Sequence, residues 1–227
     1  ISAVAASDAL AASSLTITLR NSTTPSMAPV PNLVTFAIAK PYFPFSGPVG
    51  ITLNSAGTIA FIANYNDSTI TLCSVNGSTL SNCADSGATG LSRPRGITLN
   101  SAGTIAFIAN YNDSTIIQCS VSGGVLSNCT DSGASNISHP AGITLNSAGT
   151  IAFIVNQRNS TITRCSVNGG SLSNCADSGA SSLSNPVGIT LNSAGTFAFI
   201  TNYGNNAIIQ CSVSGGTLSN CARTGTR

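Results

Sequence analysis

A nine-residue block, Gly-Ile-Thr-Leu-Asn-Ser-Ala-Gly-Thr, begins at Gly50 and returns at Gly96, Gly142 and Gly188, every 46 residues without slippage. Residues 50–70 and 96–116 are identical over 21 positions. A fixed period of this size belongs to repeat architectures, where each unit buries its apolar faces on its neighbours. The chain therefore divides into an N-terminal segment, 1–49, carrying one or two strands, and a four-repeat array, 50–227.

Within the first repeat, residues 51–53 alternate apolar and polar and stop at the turn cluster Asn54-Ser55-Ala56-Gly57. Residues 58–63 are apolar on both faces, as suits a strand covered on both sides. Tyr65-Asn66-Asp67-Ser68 ends that run, residues 69–75 alternate again, Asn76-Gly77-Ser78 turns, and residues 80–84 form a fourth strand. No stretch carries helical periodicity. The unit is a four-stranded antiparallel meander of 46 residues, the size and shape of a propeller blade, and the expected fold is an all-β propeller.

The cysteines recur with the repeat as Cys73/Cys83, Cys119/Cys129, Cys165/Cys175 and Cys211/Cys221. A hairpin centred on Ser78 places the first pair directly opposite each other on facing strands, within bridging reach, which predicts one disulfide per blade. Zinc does not suit this spacing, since there is no Cys-x2-Cys and the chain has a single histidine, His139. Paired, repeat-locked cysteines point to an oxidising compartment, extracellular or at the cell surface. No apolar run reaches the ~18 residues of a membrane-spanning helix. The first residue is Ile1, from which we expect a removed targeting peptide or a fragment, and Ala3-Val4-Ala5 and Ala9-Leu10-Ala11 resemble the small-residue tail of a secretory signal, as Ala/Ser-rich tracts also do by chance.

The run Gly-Ile-Thr-Leu-Asn-Ser-Ala-Gly-Thr-Ile-Ala-Phe-Ile-Ala-Asn resembles the YVTN-type β-propeller repeat of secreted and cell-surface microbial proteins. The family's Val-Thr-Asn ending is matched by Ile62-Ala63-Asn64, Ile108-Ala109-Asn110, Ile154-Val155-Asn156 and Ile200-Thr201-Asn202. The resemblance implies the fold for residues 50–227. It leaves function open, because the family includes binding, surface-layer and lactonase-like members. The paired cysteines depart from its pattern.

Residues 1–49 hold no full copy. Leu33, Val34, Phe36 and Ile38 lie 46 residues before a fourth strand, and Leu15, Thr16, Ile17, Thr18 and Leu19 look like a third. Three arrangements are open: four blades with an added strand, five with one degenerate, or a half-blade that pairs with another subunit's edge.

Only 6% of residues are charged, about a quarter of the usual share, and glutamate is absent. A net charge of +2 with no Lys/Arg stripe gives no basis for nucleic-acid binding. Within the four copies every charge but Arg164 falls in second-to-third turns and blade-to-blade links, which share one propeller face. Asp67 and Asp113 recur in turns, as residues that bond local backbone do. Arg93, Arg95, His139 and Arg158 break the repeat. With Tyr65, Tyr111 and Tyr203 near the rim they form a candidate binding face.

No catalytic, metal or cofactor-binding residues are expected. One histidine and no glutamate leave little to build a lactonase-type or metal-dependent centre, so the chain is expected not to be an enzyme. Near-identical, bridged, almost uncharged blades with an unclosed half-blade predict a secreted structural propeller. It would assemble with itself into a fibre or layer through the N-terminal strands. The alternative is a monomeric propeller recognising a glycan or surface protein on its charged face.

Overall fold

The computed structural model describes residues 15–16, 35–36 and 44–225. The chain divides into two units, Ile1–Phe43 and Pro44–Arg227. In the first, Leu15–Thr16 pairs antiparallel with Thr35–Phe36, with Leu15 opposite Phe36. Ile17, Thr18, Leu19, Leu33, Val34 and Ile38 of the expected assembly segment lie outside the described residues.

The second unit is a four-bladed β-propeller, each blade a four-stranded antiparallel sheet in sequence order. Blade 1 consists of Pro48–Leu53, Ile59–Asn64, Thr69–Asn76 and Thr79–Asp85. Blades 2, 3 and 4 begin at the inner strands Pro94–Leu99, Pro140–Leu145 and Pro186–Leu191. Each inner strand starts three residues before the expected alternation. Pro48 pairs with Asn64 across an irregularity, and the ladder then runs from Gly50 opposite Ala63.

Each second strand of the first three blades is buried on both faces. In blades 2 and 3 one face looks forward to the next blade and the other back to the previous one. Phe61, Ala63 and Ile70 of blade 1 pack on Ile97, Ile108, Ile117 and Leu126 of blade 2. The same set recurs between blades 2 and 3 and between 3 and 4. Four blades thus share three interfaces, and among the described residues no core cluster joins the fourth blade to the first. On the back of blade 1, Ile51 is 61% and Leu80 45% exposed, whereas their counterparts Ile97 and Leu126 in blade 2 are 6% and 1% exposed.

Inner strands approach one another closely. A Cβ on Gly142 would sit 2.8 Å from the Val187 carbonyl oxygen and 3.1 Å from Gly188 Cα of the next blade. One on Gly96 would likewise lie 2.8 Å from Ala141 O, and a Cβ on Gly50 would run into Arg95 O. Only glycine allows this separation. The glycine that opens each of these repeats is therefore a strand glycine whose missing side chain admits the neighbouring backbone.

The four expected disulfides are formed, each within a blade: Cys73–Cys83, Cys119–Cys129, Cys165–Cys175 and Cys211–Cys221, all with Cα atoms 4.1 Å apart. Their register corrects the simple hairpin expected from the sequence. Asn76 pairs with Thr79 and Ser74 with Ser81, which by strict alternation sets Cys73 opposite Asn82 rather than Cys83. A one-residue bulge intervenes, and Leu72 pairs with Ala84. Cys129, Cys175 and Cys221 are displaced from their partners in the same way. The ladder breaks between Ser127 and Thr130 in blade 2, and opposite the breaks at Arg164/Ser166 and Gln210/Ser212 in blades 3 and 4. Asn82 sits in its bulge at φ +48°, with Asn128, Asn174 and Asn220 at +49° to +50°. Asparagine tolerates this left-handed backbone better than most residues, and the bulge turns Cys83, Cys129, Cys175 and Cys221 back toward the third strand. The two halves of each bridge also differ in burial. Cys73, Cys119, Cys165 and Cys211 are core residues, whereas Cys83, Cys129, Cys175 and Cys221 on the outer strand are only partly buried. Each bridge thus ties an outer strand to the core of its blade.

Candidate functional site

The asparagine that ends each second strand fastens the propeller's links. Asn156, fully buried, accepts from Ser138 N–H at 3.0 Å and donates to Thr161 Oγ1 at 3.2 Å and Thr163 Oγ1 at 2.8 Å. Asn110 accepts from Ser92 N–H at 3.1 Å and donates to Gly90 O at 2.9 Å. Each ties an incoming link to the rim of its own blade.

Those links end in a residue with left-handed backbone: Gly47 (φ +62°), Arg93 (+50°), His139 (+48°) and Asn185 (+51°). Glycine and asparagine accept this conformation readily; for arginine and histidine it costs about 1 kcal/mol or more. The N–H groups of Arg93, His139 and Asn185 donate at 3.0 Å to Ser68, Ser114 and Ser160 Oγ, each in the preceding blade's second-to-third turn. The carbonyls accept from the residue just past the second strand, Tyr111 N–H to Arg93 O at 3.3 Å and Gln157 N–H to His139 O at 3.2 Å. Both anchors bring the side chains of three consecutive blades together on one face.

A cation–aromatic cluster results. The Arg95 guanidinium lies 3.6 Å from the Tyr111 ring centre and 5.1 Å from that of Tyr65, and Arg93 lies 5.3 Å from Tyr65. Arg93 Nη1 donates to the Tyr65 hydroxyl at 3.3 Å, and Arg95 Nη1 donates to Gln157 Oε1. His139 meets Tyr111 edge-on at 5.0 Å, and the two tyrosine rings are 6.1 Å apart. Each cation–ring contact contributes roughly 0.5 to 2 kcal/mol. Among the described residues these guanidinium hydrogen bonds go to neutral oxygens, so the cluster keeps its positive charge. Arg95 Nε and His139 Nδ1 are buried with no hydrogen-bond partner among those residues. Burial of the Tyr65 phenol would raise its pKa, but hydrogen bonds from Arg93 and Arg95 and their charges outweigh it and hold the group below its ordinary value.

Five of the seven residues expected on the binding face thus meet: Tyr65, Arg93, Arg95, Tyr111 and His139. Arg158 is exposed in the third blade's turn, and Tyr203 is 72% exposed on the fourth blade. Neither takes part in these contacts. Arg95 lies in an inner strand rather than a link. Gln157 is the member that sequence reasoning missed. Its signal was there: it replaces the tyrosine of the other three blades, one blade along from the repeat in which arginine replaces Val49, Ala141 or Val187. Among the described residues no group of histidine, cysteine and acidic side chains is arranged to hold a metal, and no helix is long and apolar enough to cross a membrane.

Fold comparison places the chain in the class of β-propellers. A putative 6-phosphogluconolactonase from Bacteroides uniformis superposes with TM-score 0.60 at 18% identity, over 78% of this chain and 53% of that one. The periplasmic gluconolactonase of Pseudomonas aeruginosa gives 0.60 at 12%, over 77% and 53%. The nidogen/laminin complex gives 0.62 at 18%, over 78% and 64%. This chain spans about half to two thirds of those chains. No family model matches it, so the narrower YVTN resemblance finds no counterpart there, and no curated protein matches either.

The lactonase neighbours overturn the expectation that the chain is not an enzyme. Propellers described as lactonases share its fold. Catalytic groups in such a fold sit on a few loops that need not follow the composition of the repeats, so scarce glutamate and histidine in the scaffold did not license the exclusion.

Proposed function

We propose that the chain is an extracellular recognition propeller whose cation–aromatic cluster binds a carboxylated sugar. The observation that carries this reading is Arg95 stacked at 3.6 Å on Tyr111 beside Arg93 over Tyr65. Aromatic faces suit the apolar side of a pyranose ring, and guanidinium groups bonded only to neutral oxygens suit a carboxylate. Strained backbone at Arg93 and His139 supports it further, since such conformations persist where a side chain is needed in one place. Four disulfides favour an oxidising location. The sugar-lactone names of two fold neighbours are compatible with a sugar-derived ligand.

Calorimetric titration with an oligogalacturonate and with a neutral malto-oligosaccharide of equal length tests the reading. Saturable binding of the acidic sugar is expected, with the neutral one at least tenfold weaker. Arg95→Gln should cost about 10- to 100-fold in affinity, the range of a lost charge-assisted hydrogen bond. Replacing Arg93, Arg95 and His139 together should abolish binding. Affinity should also fall as pH rises through the lowered Tyr65 pKa, because the phenolate then offsets arginine charge. Equal binding of the neutral sugar, or indifference to Arg95→Gln, would sink the proposal.

A further inference from the structure

The two end faces of the propeller are the two halves of an interface that the molecule already makes three times. The back of blade 1 carries Ile51, Ile62 and Leu80, the counterparts of Ile97, Ile108 and Leu126, on which Phe61, Ala63 and Ile70 pack inside the molecule. On blade 1 these three line an open groove of about 280 Å³. The forward face of blade 4 carries Phe199, Thr201 and Ile208 at the positions of Phe61, Ala63 and Ile70. There Ile208 is 39% exposed, while Ile70, Ile116 and Ile162 are fully buried. Thr201, Tyr203, Ile208 and Arg223 line a second groove of about 520 Å³. One face thus keeps the hole and the other the knob.

From this the geometry points to head-to-tail association of two copies of the chain, the forward face of blade 4 on one docking against the back of blade 1 on the other. A second copy is the occupant because the interface is continuous with one the sequence already specifies. Blade 3 presents Ile151, Phe153, Val155 and Ile162 to blade 4, and blade 4 presents the same set, with two changes, outward. Ile208 stands for Ile162 and Phe199 for Phe153, so the first change is Thr201 for Val155. Its hydroxyl is taken up by Gly188 N–H at 2.7 Å, which leaves its methyl group for packing. The second is Phe197, where the inner blades have isoleucine; it adds apolar area and is itself 38% exposed. No like-charge repulsion opposes the contact, since the back of blade 1 presents no charged side chain in its groove and the forward face of blade 4 presents only Arg223. Such an interface is heterologous: it closes as a ring of eight blades if the rotation allows, and otherwise runs on as a filament.

Sedimentation velocity of the full chain between about 1 and 200 µM should show concentration-dependent association; a monomer throughout overturns the inference. Ile51→Asp and Ile208→Asp change exposed positions, so both variants should fold and keep their disulfides. Each alone should weaken association at least ~100-fold, as burial of an unpaired charge at an interface does. An equimolar mixture of the two should regain a dimer, because each variant keeps the face that the other has lost. A mixture that stays monomeric rules out head-to-tail pairing. A photoreactive phenylalanine at position 51 settles the occupant. Cross-links to residues 197–208 of an isotope-labelled second copy support the pairing, and cross-links to residues 1–43 of the same copy overturn it.

Discussion

Gly142→Ala should destabilise the folded chain by about 3 kcal/mol or more, among the largest effects of any single methyl group in this molecule. The new Cβ would meet Val187 O at 2.8 Å and Gly188 Cα at 3.1 Å, both backbone atoms of the adjacent inner strand. A side chain can rotate out of the way; a strand held in its own ladder cannot. The two inner strands would have to separate by a few tenths of an ångström, loosening Phe153, Ile162 and Ile200 in the core between the third and fourth blades. Gly188→Ala is the internal control. It alters the same place in the repeat, yet its Cβ would meet only Thr201 Oγ1, at 3.0 Å. That hydroxyl can give way at a cost of roughly 1 kcal/mol or less. Urea unfolding of the two variants measures the difference. Equal losses would mean that close approach between blades is not what the glycine serves.

Asn156→Ala is expected to cost about 2 to 4 kcal/mol. The substitution removes four side-chain hydrogen bonds at a fully buried position and leaves Ser138 N–H and Thr161 Oγ1 without this partner, while Thr163 Oγ1 keeps its own bond to Asn136 O at 2.8 Å. The loss falls on the link rather than on the sheet, since the backbone ladder around Asn156 is untouched. Amide exchange separates the two: Ser138 should lose protection well before the second-strand amides of the same blade. A change below about 1 kcal/mol, with Ser138 still protected, would show that the link is held elsewhere. The lead-in at His139 depends on this fastening, so Asn156→Ala should also loosen the cation–aromatic cluster, and with it the sugar binding proposed there.

The blades, their strand order and their bridges were legible because they repeat. Periodicity averages over four copies, and a pattern of apolar faces seen four times is hard to mistake. What stayed hidden was local backbone. Nothing in Arg93 or His139 announces a positive φ, because neither side chain prefers one as glycine does. Of the four equivalent residues Gly47, Arg93, His139 and Asn185, only glycine and asparagine favour the left-handed region, so the shared conformation is seen in the structure and not in the residue types. The bulge at Asn82 escaped for the same reason, and the hairpin was centred half a residue too late. The pairing of Cys129, Cys175 and Cys221 survived that slip, because a bulge moves a strand by one residue and a bridge reaches across the difference. Arg93, Arg95 and His139 were legible because they depart from the repeat, and Tyr65 and Tyr111 because aromatic rings recur near the rim of the same face. Gln157 was not legible as a member, because its role depends on the Arg95 side chain reaching it from the neighbouring blade. The exclusion of catalysis failed on physical grounds too: composition describes the scaffold, and chemistry needs only a few side chains.

The bridges have a mechanical consequence. Each joins cysteines ten residues apart within a single blade, and none crosses between blades. A chain pulled from its two ends would give up its blades one at a time, and every blade would hold back the segment enclosed by its bridge. The yield per blade is then roughly 36 residues, about 130 Å at ~3.6 Å per residue, against about 165 Å once the bridge is reduced. Under load the molecule would lengthen in four short, nearly equal steps. The redox state of its surroundings would set the size of each.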